Sequence, residues 1–339
     1  LSRGRPGDEC SLREFFKVAQ GPEAPHTSCS FGGRSNPPTT AELSGFDKTG
    51  HSRSYQYAPD THNGVTANGP SVARFSLNGR TPSPSPSRTP SPRLTDAILL
   101  TERVHAALVE LSDGSATFTG CDGEGRPLKG HAHAYILSES NRALGRGGGG
   151  EITHVTVYAP AGFGPLETSA LEDLREVCGF GLEAHLTLLG LGEPEDFGGT
   201  DANRGESPLL AESRSWTSRT PFIPTRHPKA TRAGAPKLDS TGFQIGSPEH
   251  ELRRLLRLAG LPEPEAVEPV SFTSLAGQRT GWSSFRRARS SGDGRRAGSC
   301  GYGFRIEFSE PVRGPVALGY GAHFGIGGFV AAIDYGLCT

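Results

Sequence analysis

Two imidazoles and a phenol share one face if the stretch HAHAYIL, His131 to Leu137, is extended. Side chains of a strand alternate faces, so His131, His133 and Tyr135 point one way and Ala132, Ala134 and Ile136 the other. Histidine exchanges protons near neutral pH. That suits it to take the proton of a ribose 2′-hydroxyl and to give one to a departing 5′-oxygen. The pattern has two other readings: a polar face without catalysis, and a zinc hydrolase using the His-x-His pair as ligands. Further along, WTSRTPFIPTRHPK at 216–229 gathers Arg226, His227 and Lys229 after a proline-stiffened turn. Arginine grips phosphate with a fork of donors and lysine sets a point charge on it, so the cluster reads as facing phosphate. A solvated basic loop is the alternative. His131, His133, His227 and Lys229 are the candidate catalytic groups, and no metal or cofactor is assigned.

Two further elements suit nucleic acid. From Phe285 to Arg296 the chain carries Arg286, Arg287, Arg289, Arg295 and Arg296 against the single acid Asp293. Such a cationic arm favours RNA backbone through counterion release without specifying sequence, although a solubilising loop has the same composition. Near the end, Gly319, Gly321, Gly325, Gly327 and Gly328 surround His323 and Phe324. Without a Lys-Ser/Thr pair or a strand-to-helix context, this is neither a nucleotide P-loop nor a dinucleotide fingerprint. Glycines let backbone approach a ligand and offer N–H groups to phosphate, while Phe324 or Tyr320 could stack on a base. A hairpin with tight sheet packing is the structural alternative. The candidate RNA contacts are Arg226, Arg286, Arg287, Arg289, Gly319, Gly321, His323, Phe324, Gly325 and Gly327.

The elements that position these groups are α+β. Leu100, Val104, Leu108 and Leu111 recur at helical spacing behind Thr95 and Asp96, which can cap a helix. Strands are expected at 131–137, 152–158 and 184–191, with an amphipathic helix through Leu166, Ala170, Leu171, Leu174 and Val177 between the last two. Glu193 to Ser213 reads as a polar loop. A second well-bounded helix runs from Pro248 to about Leu258, with Ser247 as cap and Gly260 beyond its end. Short strands are expected at 267–272, 303–308, 316–320 and 329–333. Residues 1–80 read as a partial, poorly packed module, 81–93 as a Ser/Pro-rich linker (TPSPSPSRTPSP at 81–92), and 94–339 as the main module.

Composition bounds the rest. The 339 residues hold 35 lysines and arginines against 36 acids, so any attraction to a polyanion must be local. The 47 glycines and 27 prolines imply much loop. The 6 cysteines form no CxxC pair, as expected of reduced thiols in a cytoplasm. No apolar run approaches the roughly 18 residues of a membrane span, and no signal peptide is evident. The chain opens at Leu1 without any methionine, so the natural start is expected upstream.

Four motifs in colinear order, GHAHAYIL at 130–137, ITHVTVYAPAGF at 152–163, WTSRTPFIPTRHPK at 216–229 and GPVALGYGAHFGIGGF at 314–329, together resemble a CRISPR-associated RAMP protein. The similar family is the fused subunit of type I-U (I-G) systems, in which a module binding the crRNA 5′ handle precedes one that cleaves the repeat. The resemblance implies paired ferredoxin-like, RRM-related modules. It also implies metal-independent cleavage of precursor crRNA to 2′,3′-cyclic phosphate and 5′-hydroxyl ends, RNA contact by Gly319 to Gly328, and retention of the product with the other type I effector subunits. Two further readings remain: a non-catalytic RNA-binding subunit and the zinc hydrolase. The front departs from the family, since only GHSRSYQYAP at 50–59 is similar to a first-module motif.

Overall fold

A computed structural model describes residues 44–46, 52–54, 69–78, 92–128, 132–140, 150–179, 181–201, 204–275, 277–290 and 300–332. His131, Arg295, Arg296 and most of the Ser/Pro stretch lie outside the described residues. A short antiparallel hairpin, β1 (Ser44–Phe46) with β2 (Ser52–Ser54), stands within a separate unit, Gln20–Ala67.

The first sheet is five-stranded and antiparallel. It is built from β3 (Ser71–Asn78), β4 (Tyr135–Glu139), β5 (His154–Ala159), β6 (Glu176–Gly179) and β7 (Leu182–Gly192), in the order β4-β5-β3-β7-β6. Helix α1 (Ala97–Leu111) connects β3 to β4, and α2 (Pro165–Asp173) follows β5. Without the outer strand β6, this is strand-helix-strand-strand-helix-strand with the first strand in the middle, the ferredoxin-like order. Leu100, Val104 and Leu108 of α1 pack on Phe75, Val155 and Val157. Full burial of each such side chain is worth about 1.5–3 kcal/mol. The helix ends where Asp113 and Gly114 turn to positive φ.

The second sheet repeats the plan. Its strands are β8 (Glu212–Ser218), β9 (Ala266–Pro269), β12 (Phe304–Arg313) and β13 (Phe329–Ala331), ordered β13-β8-β12-β9, while β10 (Phe272–Leu275) and β11 (Gln278–Gly281) form a separate hairpin whose Leu275 joins the first sheet's core. Helix α3 (Pro248–Leu258) follows β8 and buries Leu252 and Leu256 against Trp216, Phe304, Ile306 and Phe329. Its start is capped as expected, the Ser247 hydroxyl accepting from the His250 N–H at 3.3 Å. Where the plan calls for a second helix, between β12 and β13, the chain places the glycine-rich element.

The sheets divide the chain differently from the sequence reading. Val72, Ala73 and Phe75 are fully buried and make β3 the centre of the first sheet. The Ser/Pro stretch therefore falls inside a module, between its first strand and first helix, and 94–339 contains parts of two modules. Proline density shows where a ladder cannot run; it does not show whether the two flanks share a sheet. Smaller departures have local causes. Val177, expected in a helix, pairs with Ala184 in β6. The polar stretch 193–213 buries Leu209, Leu210 and Ala211. The strand expected at 316–320 reduces to a single bridge, Ala317 to Gly328.

Candidate active site at the seam of the two modules

Helix α1 supplies one wall. Its Thr101 hydroxyl donates to the Phe324 carbonyl at 2.8 Å, so the first module holds the glycine-rich element directly. One helical turn on, His105 donates from Nε2 to the Phe118 carbonyl at 2.9 Å and stands 5.1 Å from the Phe324 ring. Burial first, then the charge of Arg289, lowers the His105 pKa to about 4, against the pull of its bond to Phe118. The ring is neutral at pH 7. The Arg289 guanidinium lies 4.1 Å over the face of Phe324.

The glycine-rich element forms the other wall. A 3-10 turn, Ala322–Phe324, is bracketed by Gly321 at φ +74° and Gly325 at φ +75°, left-handed positions that favour glycine. A Cβ on Gly325 would stand 3.1 Å from the Ile136 carbonyl oxygen, so the turn lies against the backbone of edge strand β4. This covers an edge that would otherwise be open to pairing.

That docking places His323 between two rings. Its centroid lies 3.4 Å from that of His133, with planes 18° apart, and 3.9 Å from that of Tyr135, with planes 28° apart. His133 stands at a bend just before β4, not on the strand expected over 131–137, and Tyr135 opens β4, so the two rings reach His323 from the bend and from the strand's first residue. His323 Nδ1 is 3.1 Å from the Ala134 carbonyl oxygen. A carbonyl can only accept, so Nδ1 carries the hydrogen and proton exchange falls to Nε2. The Tyr135 phenol is pushed up to about 12, mainly by burial, and keeps its proton.

The seam thus gathers His133, His323, Phe324 and Arg289 from the expected residues. Arg286 is exposed and ion-paired with Asp96 at 3.7 Å, and Arg287 is half-buried. Arg226, His227 and Lys229 lie on an exposed loop, where the backbone of Lys229 bonds to Ile245 and Lys237. Two of the glycines pack tightly against protein, the structural alternative for this element: a Cβ on Gly319 would meet the Ile223 carbonyl oxygen at 2.5 Å, and one on Gly327 would overlap that of Leu318. The N–H groups of Leu318, Tyr320, Gly325, Ile326 and Gly327 donate to protein carbonyls, and that of Gly328 to the Thr220 hydroxyl. These glycines bring backbone against protein, and the element presents side chains. Among the described residues, no three His, Cys, Asp or Glu side chains stand together to hold a metal ion. No helix among them is long and apolar enough to cross a membrane.

Glu102 and His105 were not among the expected site residues. For His105 the signal was faint: with Thr101 it flanks the apolar stripe of Leu100, Val104 and Leu108, polar groups where a core-facing helix is otherwise apolar.

No family model matches the chain, and no curated protein matches it. The solved structures similar to it include these two. One, a Cas6 product complex, is 13% identical with a TM-score of 0.32 over 78% of this chain and 100% of that chain. The other, the CRISPR endoribonuclease Cse3 bound to 19 nt RNA, is 14% identical with a TM-score of 0.30 over 78% of this chain and 100% of that chain. Likenesses at this level leave activity to be argued from the seam itself.

Proposed function

We propose that this chain is an endoribonuclease that matures CRISPR RNA, cutting the repeat by metal-independent acid–base chemistry with His133 and His323 as the exchanging pair. The observation that carries this reading is the stacking of those two imidazoles at 3.4 Å where the modules meet. Two positive rings this close would repel, so the pair is held from double protonation, and one ring protonated beside one neutral is the state in which it works as acid beside base. The neutral ring takes the 2′-hydroxyl proton and the 2′-oxygen attacks the adjacent phosphorus. The protonated ring gives its proton to the leaving 5′-oxygen. The ends are a 2′,3′-cyclic phosphate and a 5′-hydroxyl. Arg289, whose guanidinium lies 4.1 Å over Phe324, is the cation that would steady phosphate charge, and the exposed Arg226, Lys229 and Arg286 suit the RNA backbone. The CRISPR repeat as substrate, and retention of the product by effector subunits, rest on the resemblance of the four motifs.

One observation favours a second reading. His323 is tied to Ala134 and enclosed by Tyr135, as a purely packing residue would be, and the chain would then bind RNA without cutting it. Incubation with its own repeat RNA in EDTA separates the two. The catalytic reading expects cleavage that His133→Ala and His323→Ala each reduce at least about 100-fold with RNA binding retained. Intact binding without cleavage supports the second.

A further inference from the structure

Glu102 is one of the most deeply buried carboxylates among the described residues, with 3% of its surface exposed. An ionised group in such a place needs partners, and both of its oxygens have one. Oε1 accepts from Arg289 Nε at 3.2 Å and Oε2 from the Ser290 backbone N–H at 2.7 Å. Two adjacent residues of α1 therefore hold two separate pieces of the second module: Thr101 the carbonyl of Phe324, Glu102 the arginine that covers its ring. Held only by Phe324, Arg289 could slide across the ring. Fixed at Nε as well, it keeps one orientation.

We infer that Glu102 is a positioning residue, which acts through Arg289 by fixing that guanidinium over Phe324 and beside His105. The inference rests on the proposed function for its catalytic consequence, though not for its geometry. Without the Glu102 charge, Arg289 swings into solvent. It is then still available to attract RNA and no longer placed to steady the reacting phosphate, so rate falls while affinity stays.

The test is a cycle of Glu102→Gln, Arg289→Gln and the double variant, each compared with the unsubstituted chain for its melting transition. Single-turnover cleavage at saturating repeat RNA should fall about tenfold in each single variant and no further in the double, with RNA affinity in Glu102→Gln within about twofold. Losses that multiply, or a Glu102→Gln rate equal to that of the unsubstituted chain, overturn the inference. A second readout needs no nuclease activity: the ring resonances of His105 followed by NMR against pH. Because Arg289 is a cause of the low His105 pKa, either single variant should raise its titration midpoint. A midpoint unmoved in Glu102→Gln overturns the positioning role, whether or not the chain cuts RNA. A moved midpoint in a chain that cuts no RNA upholds the positioning and fails the proposed function alone. Glu102→Asp, which keeps the charge, should restore most of both readouts.

Discussion

The His323 ring lies 3.4 Å from that of His133 and 18° from parallel, although one belongs to the glycine-rich element of the second module and the other to the segment leading into β4 of the first. A contact between distant parts of the chain exists only when both modules are folded and docked. Chemistry built on it is off in either module alone.

The exposed cations should govern affinity and leave the chemical step alone. Arg226→Gln, Lys229→Gln and Arg286→Gln are each expected to weaken repeat RNA binding and make its logarithmic salt dependence shallower by about 0.7. Cleavage at saturating RNA should change less than about twofold. Binding titrations from 50 to 300 mM salt check this, and a large loss of single-turnover rate in Lys229→Gln would move the acid–base centre to the exposed loop.

The glycines should matter to stability in the order of what surrounds them. Gly327 has φ +69° and no room beside the Leu318 carbonyl, whereas Gly321 at φ +74° faces only the Ile326 side chain. Gly327→Ala is expected to cost more than about 2 kcal/mol, and Gly321→Ala about 1 kcal/mol. Urea denaturation ranks them, and equal costs would contradict the packing role.

Much of the first module was legible because α1 and its strands are amphipathic with the regular periods of helix and strand. Leu100, Val104 and Leu108 at helical spacing leave little choice. The centre of its sheet was harder to see. SVARFSLN at 71–78 has Arg74 between buried neighbours, which breaks the apolar pattern, and it borders a proline repeat. Of the site, His133 and His323 were visible as residue types. Their pairing was not, because stacking across a seam leaves no trace in the spacing of either segment. His105 was hidden for the opposite reason, as one polar residue on a helix whose pattern was already explained.

Arg74 explains that break. It is 2% exposed and paired with Glu139 at 3.1 Å, while the Thr156 hydroxyl donates to the other Glu139 oxygen at 2.5 Å. Glu139→Ala leaves a buried guanidinium without its counter-charge and should cost about 3–5 kcal/mol. Replacing both partners, Arg74→Met with Glu139→Leu, should recover most of that. Denaturation midpoints of the three chains decide it, and a double variant no better than the single would show that the pair is not the source of the cost.

His105 should make stability depend on pH. Its folded pKa of about 4 lies below the ordinary histidine value of 6.5, so between these the unfolded chain binds a proton that the folded chain does not. The contribution is full above about pH 6.5 and is lost as pH falls toward 4. The total is on the order of 3 kcal/mol. His105→Gln, whose amide can still donate to Phe118, should lose less stability than the unsubstituted chain between pH 7 and pH 4.5. Parallel pH profiles for the two chains would show that His105 does not titrate abnormally.

The central claim is that a ribose 2′-hydroxyl, activated at the His133–His323 seam, is the nucleophile. Its most direct test is cleavage in EDTA of repeat RNAs in which each nucleotide in turn is replaced by its 2′-deoxy form. One substitution, on the 5′ side of the cut, should abolish cleavage while binding stays within about twofold, and every RNA that is still cut should yield 2′,3′-cyclic phosphate ends. Cleavage that persists through every single 2′-deoxy substitution would contradict the account.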